Sequence, residues 1–561
     1  MSYPLKIASI VDTFGYEWLK YECNLIPLYP HSWREILTRE KPDLLLVQSA
    51  WHGNDQQWYH EITDIDTQKD NLLKDIVTWC KHHNIPTVFW NIEDPYHFKA
   101  FIDAAKLFDY IFTTDCNSIS RYLEVVEHKN VYTLPFGAQL KKHNPIDKDK
   151  EKLGKIGFAG TWYDIGHEDR KRDMENVVKP TLKYGVHIYD RMYNFTKWDW
   201  CKFPDIYRPN IKGSIPYEEM ESTYKKYDVF LNVNTVQDSP TMFACRVFEL
   251  LACGINVISG YALGIDKMLP NIVKLCKTEE DTIKHLEILL NNKELRDRLS
   301  ILGQREVFNK HTYRHRLETI LEKVGLCYEK KEKRKVTIIT CTHHPNNMKN
   351  VFANFERQNY KKKELIIILN NNSMDIQQWK EEADLHSNIK VFQIDEEKSL
   401  GECLNFSVDQ ANYDYIAKFD DDNYYAPEYL EDLMNAFEYT DADIVGKFAY
   451  YAYLEGSKTL AVRFPNKENQ YTDFLCGSAF IAKKEVFNKV RFIHESVNED
   501  TMFFKECNEK GILLYCTDRF NYICIRHASG DEHSWKIQDD EFLRKCEIVG
   551  YIDDYITHIT I

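Results

Sequence analysis

Tyr415-Ile416-Ala417-Lys418-Phe419-Asp420-Asp421-Asp422-Asn423 reads as a buried strand that stops in three adjacent carboxylates. The aromatic pair Tyr424 and Tyr425 follows. Three like charges in a row repel, so a compensating charge is expected. A hard divalent cation prefers carboxylate oxygens. In a D-x-D arrangement the first and third carboxylates, Asp420 and Asp422, lie on one side of the chain. There they would hold a cation and, through it, a diphosphate. A solvated acidic loop after a strand fits the same spacing.

Outward from this stretch, the last third of the chain alternates strands with helices. Apolar runs over 336–340, 365–369, 389–393 and 415–419 read as parallel strands, and 346–358, 377–385 and 400–411 read as the helices between them. Ligands of such sheets gather at the carboxyl ends of the strands. The first strand ends in Thr340-Cys341-Thr342, and the second in Leu369-Asn370-Asn371-Asn372-Ser373-Met374-Asp375. Their hydroxyls, amides and carboxamides are suited to a nucleotide. Leu400-Gly401-Glu402-Cys403-Leu404-Asn405 opens a helix, and the acid triplet closes the set.

In this order and spacing the region from about 336 to 535 resembles the family-2 inverting glycosyltransferases of the GT-A fold. The resemblance implies that the first two strand ends, with Thr340, Thr342, Asn370 and Asn371, hold the base and ribose of a nucleotide sugar. Asn370 and Asn371 stand where the family usually carries an acidic pair. Gly401 and Asn405 match its G-x-x-x-N helix on the donor side. Asp420 and Asp422 match the D-x-D that binds Mn2+ or Mg2+, with His527 as a further metal ligand. Gly477 and Ser478 resemble the acceptor entrance, and Glu499-Asp500 the "ED" pair. The chemistry requires a base, because the acceptor hydroxyl loses its proton as it attacks the anomeric carbon. Asp500 is expected to be that base, with Glu499 and Trp535 on the acceptor side. Arg526 and His533 lie close by in sequence. A lone histidine such as His527 also has a purely structural reading.

The first third shows the same alternation. Strands are expected over 7–11, 44–47, 87–90, 110–113 and 131–134, and helices over 72–82 and 119–126, which implies a doubly wound sheet. Two strand ends are chemically rich, Gln48-Ser49-Ala50-Trp51-His52-Gly53-Asn54 and Asn91-Ile92-Glu93-Asp94-Pro95. Ordinary loop capping by Asn, Asp and Pro explains them as well. A polar stretch over 139–152 reads as a crossing to a second lobe. That lobe opens with a strand over 155–159 and the turn Gly160-Thr161-Trp162-Tyr163, where backbone amides can approach a phosphate. A helix from Ala244 places Arg246 and Glu249 on one face, three residues apart. A plain side-chain ion pair fits that spacing. The block Arg246 to Gly254, with Ser49-Ala50-Trp51 and the F-W-N-x-E-D run from Phe89 to Asp94, resembles two-lobed GT-B glycosyltransferases, nearest the CgeB-like spore-maturation group. The resemblance implies that Glu249 binds the donor ribose and Arg246 the diphosphate, with Gly160 nearby and no metal. Thr241 occupies the other acidic position of the family's E-x7-E pattern.

The expected architecture is therefore α/β: a GT-B module of two Rossmann-like lobes, then a GT-A nucleotide-diphospho-sugar transferase domain. The expected boundaries are 1–139 for the acceptor-side lobe, 140–327 for the donor-side lobe, 328–335 for a charged linker and 336–561 for the GT-A domain. A chain of 561 residues suits about three or four domains. A net charge of −15 argues against nucleic acid as the main partner. Fifteen cysteines without a C-x-x-C pair suit reduced thiols in a cytoplasm. No signal peptide or membrane-span pattern is present, so the expected location is cytoplasmic, with membrane contact only at the periphery. The expected partners are a UDP-sugar donor and a glycan or lipid-linked glycan acceptor. The expected role is a bifunctional transferase for a bacterial surface, spore or capsule polysaccharide. The rival readings are a chain in which only the C-terminal module reacts, and a binding protein without turnover.

Overall fold

The structure, a computed structural model, describes residues 3–65, 71–195, 197, 199–330, 332–528 and 537–561. Trp535 and His533 therefore lie outside the described residues. The chain divides into two compact units, Met1–Lys330 and Lys331–Ile561. No described helix is long and apolar enough to cross a membrane.

The first unit contains two parallel sheets. One runs in the order Cys23–Pro27, Tyr3–Ile10, Leu44–Gln48, Thr87–Asn91, Tyr110–Thr113 and Val131–Thr133. Every residue of Leu44–Gln48 and Thr87–Asn91 is buried, which explains why these strands read as continuous apolar runs. The helix Leu72–His82 begins at Asn71, whose side chain accepts the Lys74 amide, and buries Leu73, Ile76, Val77 and Cys80. Leu73, Ile76 and Val77 each contribute roughly 1.5–3 kcal/mol on burial. The other sheet runs Lys274–Cys276, Asn256–Gly260, Val229–Asn232, Ile156–Gly160 and His187–Asp190.

The stretch over 139–152 is packed rather than open. Gln139 Nε2 donates to Trp18 O at 2.8 Å, and Lys148 Nζ donates to Ser300 Oγ at 3.0 Å. The final helix of this unit, Tyr313–Val324, returns to the first sheet. Its Tyr313 ring stacks on Trp18 at 4.7 Å, and Arg316 Nη2 donates to Phe136 O at 2.7 Å. Gly325 ends this helix in the left-handed region, a conformation that costs glycine nothing. The helix expected from Ala244 begins at Arg246 and runs to Ala252.

The second unit is built on a mixed sheet. Its order is Ile389–Gln393, Lys363–Leu369, Val336–Thr342, Tyr415–Lys418, Phe480–Lys483, Ile444–Gly446, Leu514–Cys516 and Gln470–Thr472. The first four are mutually parallel, whereas Phe480–Lys483 runs antiparallel to Tyr415–Lys418. That register pairs Lys418 with Phe480. Continued two residues further, it sets Asp420 opposite Ser478. A second sheet comprises Tyr424–Tyr425, Tyr522–Arg526, Tyr450–Leu454, Thr459–Arg463 and Cys546–Tyr551.

Candidate functional site

The three acids at the centre of the second unit point to different partners. Asp420 Oδ1 lies 2.6 Å from Lys418 Nζ, and Lys418 is buried. Burial alone would lower the lysine pKa, but Asp420 first, then Glu499 and Asp500, hold it well above the ordinary range. The Asp420 amide donates to Tyr425 Oη at 2.8 Å, and that hydroxyl donates to Ser478 O at 2.6 Å. Asp421 instead faces the first strand. Its Oδ2 accepts from Thr342 Oγ1 and, at 2.9 Å, from Asn347 Nδ2. Burial, then the charges of Asp420 and Asp421, raise the Asp422 pKa well above the ordinary carboxylate range. Such crowding is what a divalent cation relieves. The carboxylate oxygens of Asp420 and Asp422 are hard donors that fit one. Among the described residues, no group of three His, Cys, Asp or Glu side chains is assembled for a metal. His527 Nδ1 lies 3.3 Å from Glu455 Oε2.

A second set of contacts fixes the segment that carries Glu499 and Asp500. Gly401 opens the helix Leu400–Gln410, and its amide donates to Glu495 O at 3.0 Å. A Cβ on Gly401 would collide with Ile493 O. One turn later, the Asn405 carboxamide donates to Phe492 O at 2.8 Å and accepts from Phe492 N at 3.1 Å. The helix amides of Leu400 and Glu402 go to Ser496 Oγ and Ser399 Oγ. Gly401 and Asn405 thus brace the backbone over 492–496. Asn370 and Asn371 are spent similarly, with Asn370 Nδ2 donating to Asp395 O at 2.8 Å and Asn371 Nδ2 to His343 O at 3.0 Å. They tie together the carboxyl ends of neighbouring strands. Thr340 is buried in the first strand.

The helix Glu499–Glu509 then starts with both acids in its first turn. Asp500 Oδ1 accepts the Thr501 amide at 2.6 Å. The rest of its carboxylate fills the space where Gly477 has no side chain, since a Cβ there would overlap Asp500 Oδ2. Ser478 Oγ contacts Tyr522 Oη. Tyr425 therefore links Asp420 to Ser478, whose neighbour Gly477 seats Asp500, and Lys418 feels the charges of both Asp420 and Glu499.

In the first unit, Glu249 is 1% exposed. Its two oxygens accept from Tyr217 Oη at 2.7 Å and Tyr224 Oη at 3.0 Å. Arg246 Nη1 donates to Ala159 O at 2.6 Å, and its Nε donates to Tyr224 Oη at 3.2 Å. The tyrosine hydroxyl thus stands between the two charges. Gly160 packs against Phe158 and Arg170. Thr241 bolts the two sheets together: its Oγ1 donates to Thr114 O at 2.8 Å and accepts from Cys116 N at 2.9 Å.

Residues 336–495 match the profile of glycosyl transferase family 2, and residues 170–322 match the glycosyl transferase-like profile. The chain carries two glycosyltransferase-family domains. The spore protein CgeB of Bacillus subtilis (strain 168) is 23% identical over 200 residues, covering 33% of this chain. The match spans 59% of that relative's length. Among solved structures, S. aureus TarS 1-349 in complex with UDP-GlcNAc is 16% identical over 37% of this chain and 64% of that one, with a TM-score of 0.29. The mannosyltransferase PcManGT from Pyrobaculum calidifontis, in complex with GDP-Man and Mn2+, is 15% identical over 38% and 63%, with a TM-score of 0.29.

Within the family-2 domain, Lys418 is the residue that the sequence reading passes over. It stands in an apolar strand, and a buried lysine among apolar neighbours is itself a signal of a paired charge. Tyr425 likewise shows in the sequence only as an aromatic neighbour of the acids. The Gly477 contact sets an expected result: Gly477→Ala should displace the Asp500 carboxylate and lower sugar transfer by about 10²-fold. Donor affinity, read by titration calorimetry, should change little. Unaltered transfer would mean that Asp500 has no fixed station.

Glu499 gives a pH signature. Burial pushes its pKa up to about 7 against the lowering effect of Lys418, and Asp500 raises it further. In the unfolded chain it titrates near about 4.3. Between those values the folded state holds more protons, so this contribution is fully present below pH ~4.3 and is lost as pH rises through about 7. Glu499→Gln should flatten that slope. The urea midpoint of the wild type relative to the variant should be higher at pH 5 than at pH 8, and an equal difference at both would exclude a raised carboxyl.

Proposed function

We propose that the family-2 domain transfers a sugar, with inversion, from a nucleoside-diphosphate donor to a hydroxyl of a glycan or lipid-linked glycan. The observation that carries this is the Asp500 carboxylate seated against Gly477, one residue from Ser478 and joined through Tyr425 to Asp420. In this reading Asp500 removes the acceptor proton as the hydroxyl oxygen bonds to the anomeric carbon. The bond from that carbon to the diphosphate oxygen breaks, and the nucleoside diphosphate leaves with the electron pair. Asp420 and Asp422 are the residues that would hold Mn2+ or Mg2+ beside the diphosphate, where the cation supplies neutralising charge. Lys418 offsets the charge of Asp420 and holds it in place. The strand ends around Thr342 and Asn371 flank the donor. The relative named a spore protein supports a role in a bacterial spore.

A second reading concerns the first unit. Its Glu249 and Arg246 are satisfied by Tyr217, Tyr224 and Ala159 O, which favours a module without a donor site of its own. One experiment tests both readings. The whole protein is titrated with a UDP-sugar, with Mn2+ and then with EDTA, as wild type and as Asp422→Ala. Binding that needs the cation and disappears in the variant, with the thermal midpoint kept, is expected. Metal-independent binding that survives Asp422→Ala would overturn the metal assignment and return a donor site to the first unit.

A further inference from the structure

One helix of the second unit grips the acid triplet by its backbone. Asn347, Asn350, Asn354 and Gln358 recur at intervals of three and four residues along the helix Met348–Arg357 and its two caps, so they form one stripe. The stripe meets the loop after Tyr415–Lys418 in order. Asn347 Nδ2 donates to Asp421 Oδ2 at 2.9 Å. Asn350 Nδ2 donates to Asp421 O at 2.8 Å and to Asn423 O at 2.9 Å. Asn354 is buried; its Nδ2 donates to Asn423 O at 2.8 Å, and its Oδ1 accepts from Tyr425 N at 3.2 Å. Gln358 Nε2 donates to Tyr425 O at 3.1 Å and to Ala426 O at 3.0 Å. Arg357, beside it, donates to Tyr425 O at 3.2 Å and lies 4.2 Å from the centre of the Tyr424 ring.

The loop is also held from its other side. Asn423 Oδ1 accepts the Ile525 amide at 2.9 Å, and Tyr424–Tyr425 pairs antiparallel with Tyr522–Arg526. The carbonyls of Asp421, Asn423, Tyr425 and Ala426 thus all accept from one helix. Carbonyls of a surface loop are ordinarily left to water, and such loops move. Three adjacent carboxylates on a mobile loop would splay under their own repulsion and close around an ion of any size. Ligand distances are about 2.0–2.1 Å for Mg2+ and about 2.3–2.6 Å for Ca2+, and a rigid site tells the two apart where a flexible one adapts.

We propose that this carboxamide stripe sets the cation preference of the site, holding Asp420 and Asp422 at a spacing that favours a small divalent ion over Ca2+, which rests on the reading of those two acids as the cation-holding pair. Asn350 stands at the centre of the stripe. It and its neighbours act through the loop backbone and are positioning residues. The middle acid, Asp421, is turned to the stripe and to Thr342. A stripe that only stabilised the fold would change the affinity for every cation alike.

The test is cation competition on the whole protein without nucleotide. Bound Mn2+ is read by electron paramagnetic resonance, and Mg2+ and Ca2+ are titrated as competitors. Asn350→Ala removes the donor to two carbonyls and should lower the Mg2+-over-Ca2+ affinity ratio by about tenfold. Asn347→Ala removes one donor to Asp421 and should lower the ratio in the same direction. Lys349→Ala, at an exposed position of the same helix, should keep the wild-type ratio. An unchanged or higher ratio in Asn350→Ala, or in Asn347→Ala where the first variant does not fold, would overturn the proposal. Wild-type protein that binds cation while the variants keep its ratio rejects the stripe alone. Wild-type protein that binds no cation rejects the cation-holding pair itself, and the preference with it.

Discussion

Asp500→Asn is expected to lower sugar transfer by at least about 10²-fold while leaving donor affinity and thermal midpoint near those of the wild type. Asparagine has the same shape and can still accept the Thr501 amide, now 2.6 Å from Asp500 Oδ1. It also fits the space beside Gly477, because it adds no heavy atom. As a helix-terminal group it serves about as well as aspartate. It cannot take a proton from the acceptor hydroxyl. If Asp500 only capped the helix, transfer would be near normal in the variant. That outcome would move the base to Glu499, the adjacent buried acid.

The second large effect is expected from Lys418→Met. Methionine keeps much of the length of the side chain and removes its charge. Asp420 then stays beside Asp421, Asp422 and Glu499 without the ammonium 2.6 Å from its Oδ1. Removing one partner of a buried pair typically costs about 3–5 kcal/mol. The Asp420 side chain is 36% exposed, so water recovers part of this and about 2 kcal/mol is expected. Loss of the cation also disfavours ionised carboxylates, so the acidic limb of the transfer–pH profile should move to higher pH. Lys418→Arg should restore the limb even if packing suffers. An unchanged urea midpoint and an unchanged acidic limb in Lys418→Met would remove Lys418 from the site.

Much of the fold is legible in local pattern. The strand Tyr110–Thr113 and the helix Leu72–His82 have the bounds that apolar runs and caps imply. The strand Cys23–Pro27 is not legible, because its Asn24 is exposed and its last two residues are only half-buried. The sheet carrying Tyr450–Leu454 and Thr459–Arg463 is not legible in local pattern either. Its order joins Tyr424–Tyr425 to Tyr522–Arg526, a pairing across about a hundred residues that no local period encodes. The candidate site divides in the same way. The acid triplet and the Glu499-Asp500 pair stand out as charge at element ends. The tyrosines that meet Glu249 come from Tyr217–Tyr224, a helix well before it in the chain, so the fate of that carboxylate is written only in three dimensions. Gly401 and Asn405 show the limit of reading roles from spacing: their contacts are with the backbone over 492–495.

Those contacts, with Ser496 Oγ accepting the Leu400 amide, hold the stem of the segment up to Val497. Asn405 grips Phe492 and the Gly401 amide holds Glu495, while Val497 just beyond is 44% exposed. Exposed loop tips tolerate substitution and insertion far better than their anchored stems. Divergence among homologous copies of this domain should therefore concentrate at Val497, while the stem remains constant. A library randomised at Val497 alone would sample new acceptors from a scaffold that keeps Asp500 seated against Gly477.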